Sequence, residues 1–233
     1  NFGSIRIHYA MKACSNPDVL AHIARQGVHV DVVSLGEARR ALANGFSPGD
    51  ILFAGVGKSR DEIESALKLD IFMFNVESAS ELERIGQTAA ILKKTANVSL
   101  RLNPDVSPKT HPYIATGLKE NKFGIDRNHL PEILKVIRKY AGHLILKGIG
   151  FHIGSQIMEI KPYIDAIKKV IPVWQRLKEE GHDLVYFDIG GGFGVDYKSG
   201  RKFDVKSLAQ QTKKLLKALN CTIICEPGRF LVG

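Results

Sequence analysis

Eight short runs of β-branched and aliphatic residues recur along the chain, and a helical pattern separates each from the next. The runs fall at residues 4–11, 28–33, 51–55, 71–76, 97–103, 147–153, 184–189 and 222–226. Near-continuous apolar runs of this length are expected of parallel strands buried on both faces. Eight such strands alternating with helices predict an α/β fold, a (β/α)8 TIM-like barrel. The competing architecture is a doubly wound sheet, which expects a glycine fingerprint after its first strand. Here Lys12-Ala13-Cys14-Ser15-Asn16 follows the first strand instead, which favours the barrel.

The helical stretches carry their own start and stop signals. Asn16-Pro17 reads as an N-cap followed by proline in the first turn. Ser34-x-x-Glu37, Ser59-x-x-Glu62 and Ser78-x-x-Glu81 read as capping boxes. Gly27, Gly45 and Gly181 fall where helices should stop. Further helices are expected at 129–140, 162–180 and 204–219, with Pro172 kinking the second of them. Residues 104–127 break the rhythm. A loop of that length inside a compact domain is usually functional or disordered.

Composition narrows the functional classes. The chain has 233 residues, 44% of them hydrophobic and 24% charged, as expected of a soluble globular protein. Its 33 basic residues outnumber the 24 acidic ones, but the lysines are spread over helix faces. No basic run is interleaved with aromatics, so nucleic acid is not the expected partner. A surface with some attraction for anionic ligands is expected instead. Nothing resembles a signal peptide or an apolar span of about 18 residues, so no membrane partner is expected. Cys14, Cys221 and Cys225 lack metal-ligand spacing and, being odd in number, argue for a reducing, cytoplasmic compartment and against a disulfide scaffold. No metal is expected. The abrupt start at Asn1-Phe2-Gly3 and stop at Leu231-Val232-Gly233 read as a piece of a longer protein.

In a barrel of this kind the active site lies at the carboxyl ends of the strands. Lys12 stands at the first of these ends. A lysine there is either a snorkelling surface residue or a reactive amine able to form a Schiff base. Asp31 and Glu37 follow the second strand, and Arg101 and Asn103 belong to the fifth. Asp31 could equally serve a neighbouring helix, and the capping box already accounts for Glu37. His152-Ile153-Gly154-Ser155 ends the sixth strand. There His152 is either a satisfied core histidine or a ring that stacks on a planar cofactor. Gly190-Gly191-Gly192 and Glu226-Pro227-Gly228-Arg229 end the last two strands. These two places commonly bind phosphate in such barrels, because bare backbone N–H groups can approach an anion closely. Glu226 could keep a ring nitrogen protonated, or could pair with Arg229 or Arg101. His111 lies in the long loop as either a site residue or an exposed one. Lysine, phosphate cradle, stacking histidine and ring-nitrogen carboxylate together suggest pyridoxal 5′-phosphate.

At these residues the chain resembles the barrel domain of the diaminopimelate decarboxylase family, of the alanine-racemase-like class of pyridoxal-phosphate enzymes. The matching segments are His8 to Ala13, Asp31 to Glu37, Val98 to Asp105, Thr110 to Gly124, Gly150 to Ser155, Asp188 to Gly192 and Cys225 to Arg229. The Thr110 to Gly124 segment separates this family from its ornithine and arginine decarboxylase relatives. The resemblance implies that Lys12 carries the cofactor, His152 stacks on its ring and Glu226 pairs with the ring nitrogen. Ser155, Gly190, Gly191, Gly192, Pro227, Gly228 and Arg229 would hold the phosphate, with Arg229 also reaching a substrate carboxylate. Asp31, Glu37, Arg101 and His111 would support the site.

The implied reaction is decarboxylation of meso-2,6-diaminopimelate to L-lysine and carbon dioxide, the last step of lysine biosynthesis. An ornithine- or arginine-type basic amino-acid decarboxylase and a non-catalytic pyridoxal-phosphate barrel remain the alternatives. Two departures stand out. Cys14 occupies a position usually held by Asn. The resemblance also implies an additional β domain, which supplies a cysteine and a tyrosine, and a homodimer with shared active sites; both are expected to lie outside these 233 residues. All 233 residues are therefore expected to form the cofactor-binding barrel, which by itself should turn over poorly or not at all.

Overall fold

The computed structural model describes residues 4–106 and 123–233. Its strands are β1 (Ile5–Ala10), β2 (His29–Val32), β3 (Ile51–Phe53), β4 (Met73–Val76), β5 (Ala96–Arg101), β6 (Leu144–Gly150), β7 (Tyr186–Asp188) and β8 (Thr222–Cys225). They form a closed barrel in sequence order, and every neighbouring pair is parallel. The expected (β/α)8 architecture is therefore observed. The ring closes where Ile5, Arg6 and Ile7 pair with Ile223, Ile224 and Cys225.

Around the barrel run α1 (Pro17–Arg25), α2 (Leu35–Ala43), α3 (Arg60–Leu69), α4 (Ala79–Leu92), α5 (Leu130–Lys139), α6 (Lys161–Glu179) and α7 (Val205–Lys217). A short α8 (Arg229–Val232) follows β8. Asn16 caps α1 by accepting from Asp18 and Val19, with Pro17 in the first turn. Gly27, Gly45 and Gly181 follow helix ends with φ of 71°, 96° and 89°, the left-handed region that favours glycine.

The structure corrects several local expectations. Of the three capping boxes only Ser59–Glu62 is reciprocal. Ser34 and Ser78 do cap their helices, but Glu37 and Glu81 reach one residue further back, to the backbone N–H groups of Val33 and Glu77. Strand β6 begins at Leu144, three residues before the expected start, because Leu144, Ile145 and Leu146 pair with the lower half of β5. A register shift between Val98 and Ser99 follows, where β5 skips Lys147 and resumes at Gly148. As expected, Pro172 lies inside α6, which continues through it. Pro172 is exposed, so water can satisfy the carbonyl whose helical partner proline removes.

The strands obey a period of two that the apolar runs conceal. Outward positions, among them Tyr9, Val30, Phe53, Phe74, Val98, Ile149 and Phe187, join one apolar core with the helices. Leu52, Met73 and Ile224 form a separate small cluster. In the same alternation as these three stand half of the buried polar residues among those described: His8, Asp31, Asn75, Ser99 and Asp188. The lumen is thus apolar at its waist and polar above and below it.

Below the waist, Arg6 lies over the Phe72 ring at 4.1 Å, and His8 stacks on that ring at 5.3 Å. His8 is fully buried, and its Nε2 has no hydrogen-bond partner among the described residues. Burial, together with the neighbouring His29 and Arg6, lowers its pKa from 6.5 to about 3. The unfolded chain therefore takes up a proton on His8 that the folded chain refuses. The stability associated with neutral His8 is present above pH 6.5 and is lost as pH falls towards about 3. His8→Phe keeps the stack and removes the titration. The thermal midpoint of the wild type should fall relative to H8F as pH drops from 7.5 to 4.5, by about tenfold in the unfolding constant per pH unit below 6.5. Parallel curves for the two proteins would count against this account.

Candidate active site

The carboxyl ends of the strands open into a cavity of about 400 Å³. Its wall includes Lys12, Asp31, Asn75, Glu77, Arg101, His152, Ser155, Asp188 and Glu226. These residues are distant in sequence and meet only because the barrel closes.

Lys12 lies on a short 3-10 turn, Met11–Ala13, directly after β1. It is exposed and lines the cavity. Tyr9 Oη, fully buried beneath, donates to the carbonyl of Cys14 at 2.9 Å and holds the turn from below. The turn is also tied to the opposite edge of the barrel. The Ala10 N–H donates to the Pro227 carbonyl, and a Cβ on Gly228 would stand 3.0 Å from the Ala13 Cβ.

Glu226 follows β8 and accepts a hydrogen bond from Asn75 Nδ2 at 2.9 Å. Neither arginine considered as its partner holds it. Arg101 pairs with Glu77 Oε1 at 2.9 Å, and Arg229 donates to Tyr197 Oη at 3.0 Å. Two further carboxyls crowd Glu226. Asp31 and Asp188 are both buried, and desolvation and then the Glu226 charge push each well above the usual carboxylate range. Lys12 and Arg101 oppose the rise at Asp31. At Asp188 a side-chain hydrogen bond to Glu226 adds to the rise, while the Gly190 N–H on Oδ1 at 2.8 Å opposes it. The site floor therefore favours the neutral acid at Asp31 and Asp188.

His152 lies beside this floor. Burial, with the positive charges of Arg101 and Lys12, lowers its pKa to about 3, so the ring is neutral. The Gly191 N–H donates to Nδ1 at 3.3 Å, which places the ring proton on Nε2. The glycine run acts through close packing as much as through free donors. A Cβ on Gly191 would stand 1.9 Å from the Glu226 carbonyl, and one on Gly192 would stand 2.0 Å from the Gly154 carbonyl. The N–H groups of Gly190 and Gly191 are already engaged. Those of Ser155, Gly192, Gly228 and Arg229 make no hydrogen bond among the described residues. These are donors an anion could take, on the three loops that the glycines draw together.

The remaining candidates divide. Asp31 and Arg101 line the cavity. Glu37 does not: its carboxylate is committed to the Val33 N–H. The Arg229 side chain is exposed and turned to Tyr197, outside the cavity wall. His111 and most of the Thr110 to Gly124 segment lie outside the described residues. Cys221 and Cys225 belong to the β8 region, where burial raises their thiols to about 11 and about 12. Asn75, Glu77 and Asp188 were not anticipated. Asn75 and Asp188 share a signal, a polar residue at a lumen-facing position near a strand's carboxyl end.

Exposed amine, neutral imidazole, anchored carboxylate and free backbone donors together fit a phosphorylated pyridine cofactor, and comparison with known proteins agrees. The diaminopimelate decarboxylase of Helicobacter pylori strain J99 is 46% identical over 227 residues, covering 97% of this chain and 56% of the relative. That of Aquifex aeolicus is 42% identical over 233 residues, covering 100% and 55%. The crystal structure of Helicobacter pylori diaminopimelate decarboxylase complexed with L-lysine superposes with a TM-score of 0.92. It is 45% identical, with 98% of this chain and 58% of that one covered. The chain thus spans little more than half the length of the relatives it matches. The family model described as "Pyridoxal-dependent decarboxylase, pyridoxal binding domain" matches residues 1–233. The chain belongs to the pyridoxal-dependent decarboxylases, as the domain that binds pyridoxal.

Proposed function

We propose that this domain holds pyridoxal 5′-phosphate on Lys12 and serves the decarboxylation of meso-2,6-diaminopimelate to L-lysine and carbon dioxide. The observation that carries the reading is the meeting of Lys12, neutral His152 and Asn75-held Glu226 in one cavity. The choice of substrate rests on relatives of 42–46% identity named diaminopimelate decarboxylase.

When bound, the cofactor supplies a sink for the electron pair left as the Cα–carboxylate bond breaks. The protein's part is to hold and to orient. Lys12 would offer its amine at the mouth as the group that holds the cofactor. His152, uncharged and with Nδ1 occupied, offers a flat ring of fixed orientation. Glu226 has one carboxylate oxygen on Asn75, and its charge would keep a ring nitrogen protonated. Ser155, Gly192, Gly228 and Arg229 would donate backbone N–H groups to the phosphate, while Gly190, Gly191 and Pro227 shape the loops that present them. Asp31 and Arg101 would tune the charge of the floor, and Glu37 would brace the loop after β2. For Arg229 to reach a substrate carboxylate it would have to leave Tyr197.

The same reading takes residues 1–233 as the cofactor-binding domain of a longer cytoplasmic protein, a homodimer that completes each site with residues from outside this chain. The relatives' extra length supports it, as do the exposed apolar side chains Val33, Val56 and Phe123 on the cavity wall. The free cysteines fit a reducing compartment.

Two measurements test the proposal. The chain mixed with pyridoxal phosphate should develop an imine absorbance band, and borohydride followed by peptide mapping should place the label on Lys12. The longer protein should then release carbon dioxide from meso-diaminopimelate and not from ornithine or arginine. A label elsewhere, or the reverse preference, would refute the corresponding half. Gly191→Ala should weaken cofactor binding at least tenfold and lower the thermal midpoint by about 5 °C, since the clash is with backbone rather than with a movable side chain.

A further inference from the structure

Lys58 follows β3 and is 2% exposed, yet it lies outside the cavity wall. Its ammonium donates to the Gly55 carbonyl at 2.8 Å, the Asn75 carbonyl at 2.8 Å and Glu81 Oε1 at 2.6 Å. All three of its protons are used. Glu81, in the first turn of α4 and 1% exposed, turns its other oxygen to the Glu77 N–H at 2.8 Å. The pair therefore grips three residues of the cavity wall by their backbones: Gly55, Asn75 and Glu77. Two of these carry the side chains that orient the site's charges. Asn75 Nδ2 holds Glu226, and Glu77 Oε1 holds Arg101.

A buried ion pair is a costly way to gain stability, since apolar residues of similar volume often do as well or better. What such a pair does provide here is direction: three carbonyl and carboxylate oxygens converge on one ammonium, and each fixes a loop.

We infer that Lys58–Glu81 is a buried positioning pair for the cofactor site, acting through Asn75 on the Glu226 carboxylate and through Glu77 on Arg101. This rests on the cofactor reading above. Neither residue touches the cavity, so neither is a catalytic residue.

The test uses the double variant Lys58→Met, Glu81→Met, in which an apolar pair replaces the charged one, so that loss of folding does not mask the effect. Lys58→Met alone leaves a buried unpaired carboxylate and serves as the destabilised control. The first readout is the side-chain amide of Asn75 by nuclear magnetic resonance in the cofactor-free chain. The double variant should keep the wild-type thermal midpoint, yet its Asn75 amide protons should shift and exchange with solvent at least tenfold faster. The second readout is pyridoxal phosphate itself. Its dissociation constant should rise about tenfold in the double variant, and by a clearly smaller factor when the same change is made in an Asn75→Ala background, where only the Glu77–Arg101 route remains.

A purely structural pair would give wild-type amide signals and wild-type affinity once stability is restored, and that result overturns the inference. So would an equal loss of affinity in both backgrounds. If the wild type binds no pyridoxal phosphate, the functional reading fails, and the Asn75 amide alone decides the positioning.

Discussion

The structure depends on one closure, the parallel pairing of β1 with β8. Until Arg6 and Ile7 lie against Ile224 and Cys225, Lys12 and Glu226 belong to opposite ends of the chain. Once they do, the backbone of Ala10 bonds to Pro227, and Gly228 packs on the alanines that flank Lys12. The amine and the carboxylate then share one cavity. The closure also makes a lumen, and only a lumen lets eight strands present polar residues to one another while their other faces stay apolar.

That lumen is a demanding electrostatic environment. Asp31, Asp188 and Glu226 crowd one floor, and water is too scarce there to screen three ionised carboxylates. The protein answers with protonation and with placed donors. Asp31 and Asp188 are driven toward the neutral acid, Asn75 and the Gly190 N–H supply hydrogen bonds, and Lys12 and Arg101 supply charge. The same positive groups help to keep His152 neutral. Acid, base and ring are therefore set by their neighbours more than by their own chemistry.

The glycines show how backbone geometry serves the same end. In Gly190-Gly191-Gly192 the absent side chains let the loop after β7 lie against the loops after β6 and β8 at distances that no Cβ would allow. Gly148 and Gly150 do likewise along β6, where a Cβ would meet the Tyr186 carbonyl and the Asp188 side chain. Three loops are thereby packed into a single rim, and the free N–H groups of Ser155, Gly192 and Gly228 are presented from it together.

Much of this was legible from the order of residues. Eight apolar runs with helices between them call for parallel strands with crossovers, and Lys12 to Asn16 in place of a glycine fingerprint after the first strand favours the barrel over a doubly wound sheet. Lys12, His152, Gly190 to Gly192 and Glu226 stand at strand ends, where such barrels place their chemistry. Capping serines and stop glycines mark the helices locally, since each acts on backbone a few residues away. What the chain order does not carry is which partner each side chain meets. Glu226 is held by Asn75 rather than by Arg101 or Arg229, and Glu81 is buried against Lys58 rather than closing a capping box. Asn75 lies 151 residues from Glu226, and Glu81 lies 23 from Lys58. Such pairings arise only when barrel closure and strand register bring distant polar groups into a space that water has left. Sequence by itself determined the barrel and the positions of its chemical groups. Tertiary structure decided their partners and protonation, because both follow from burial and proximity that no local pattern encodes.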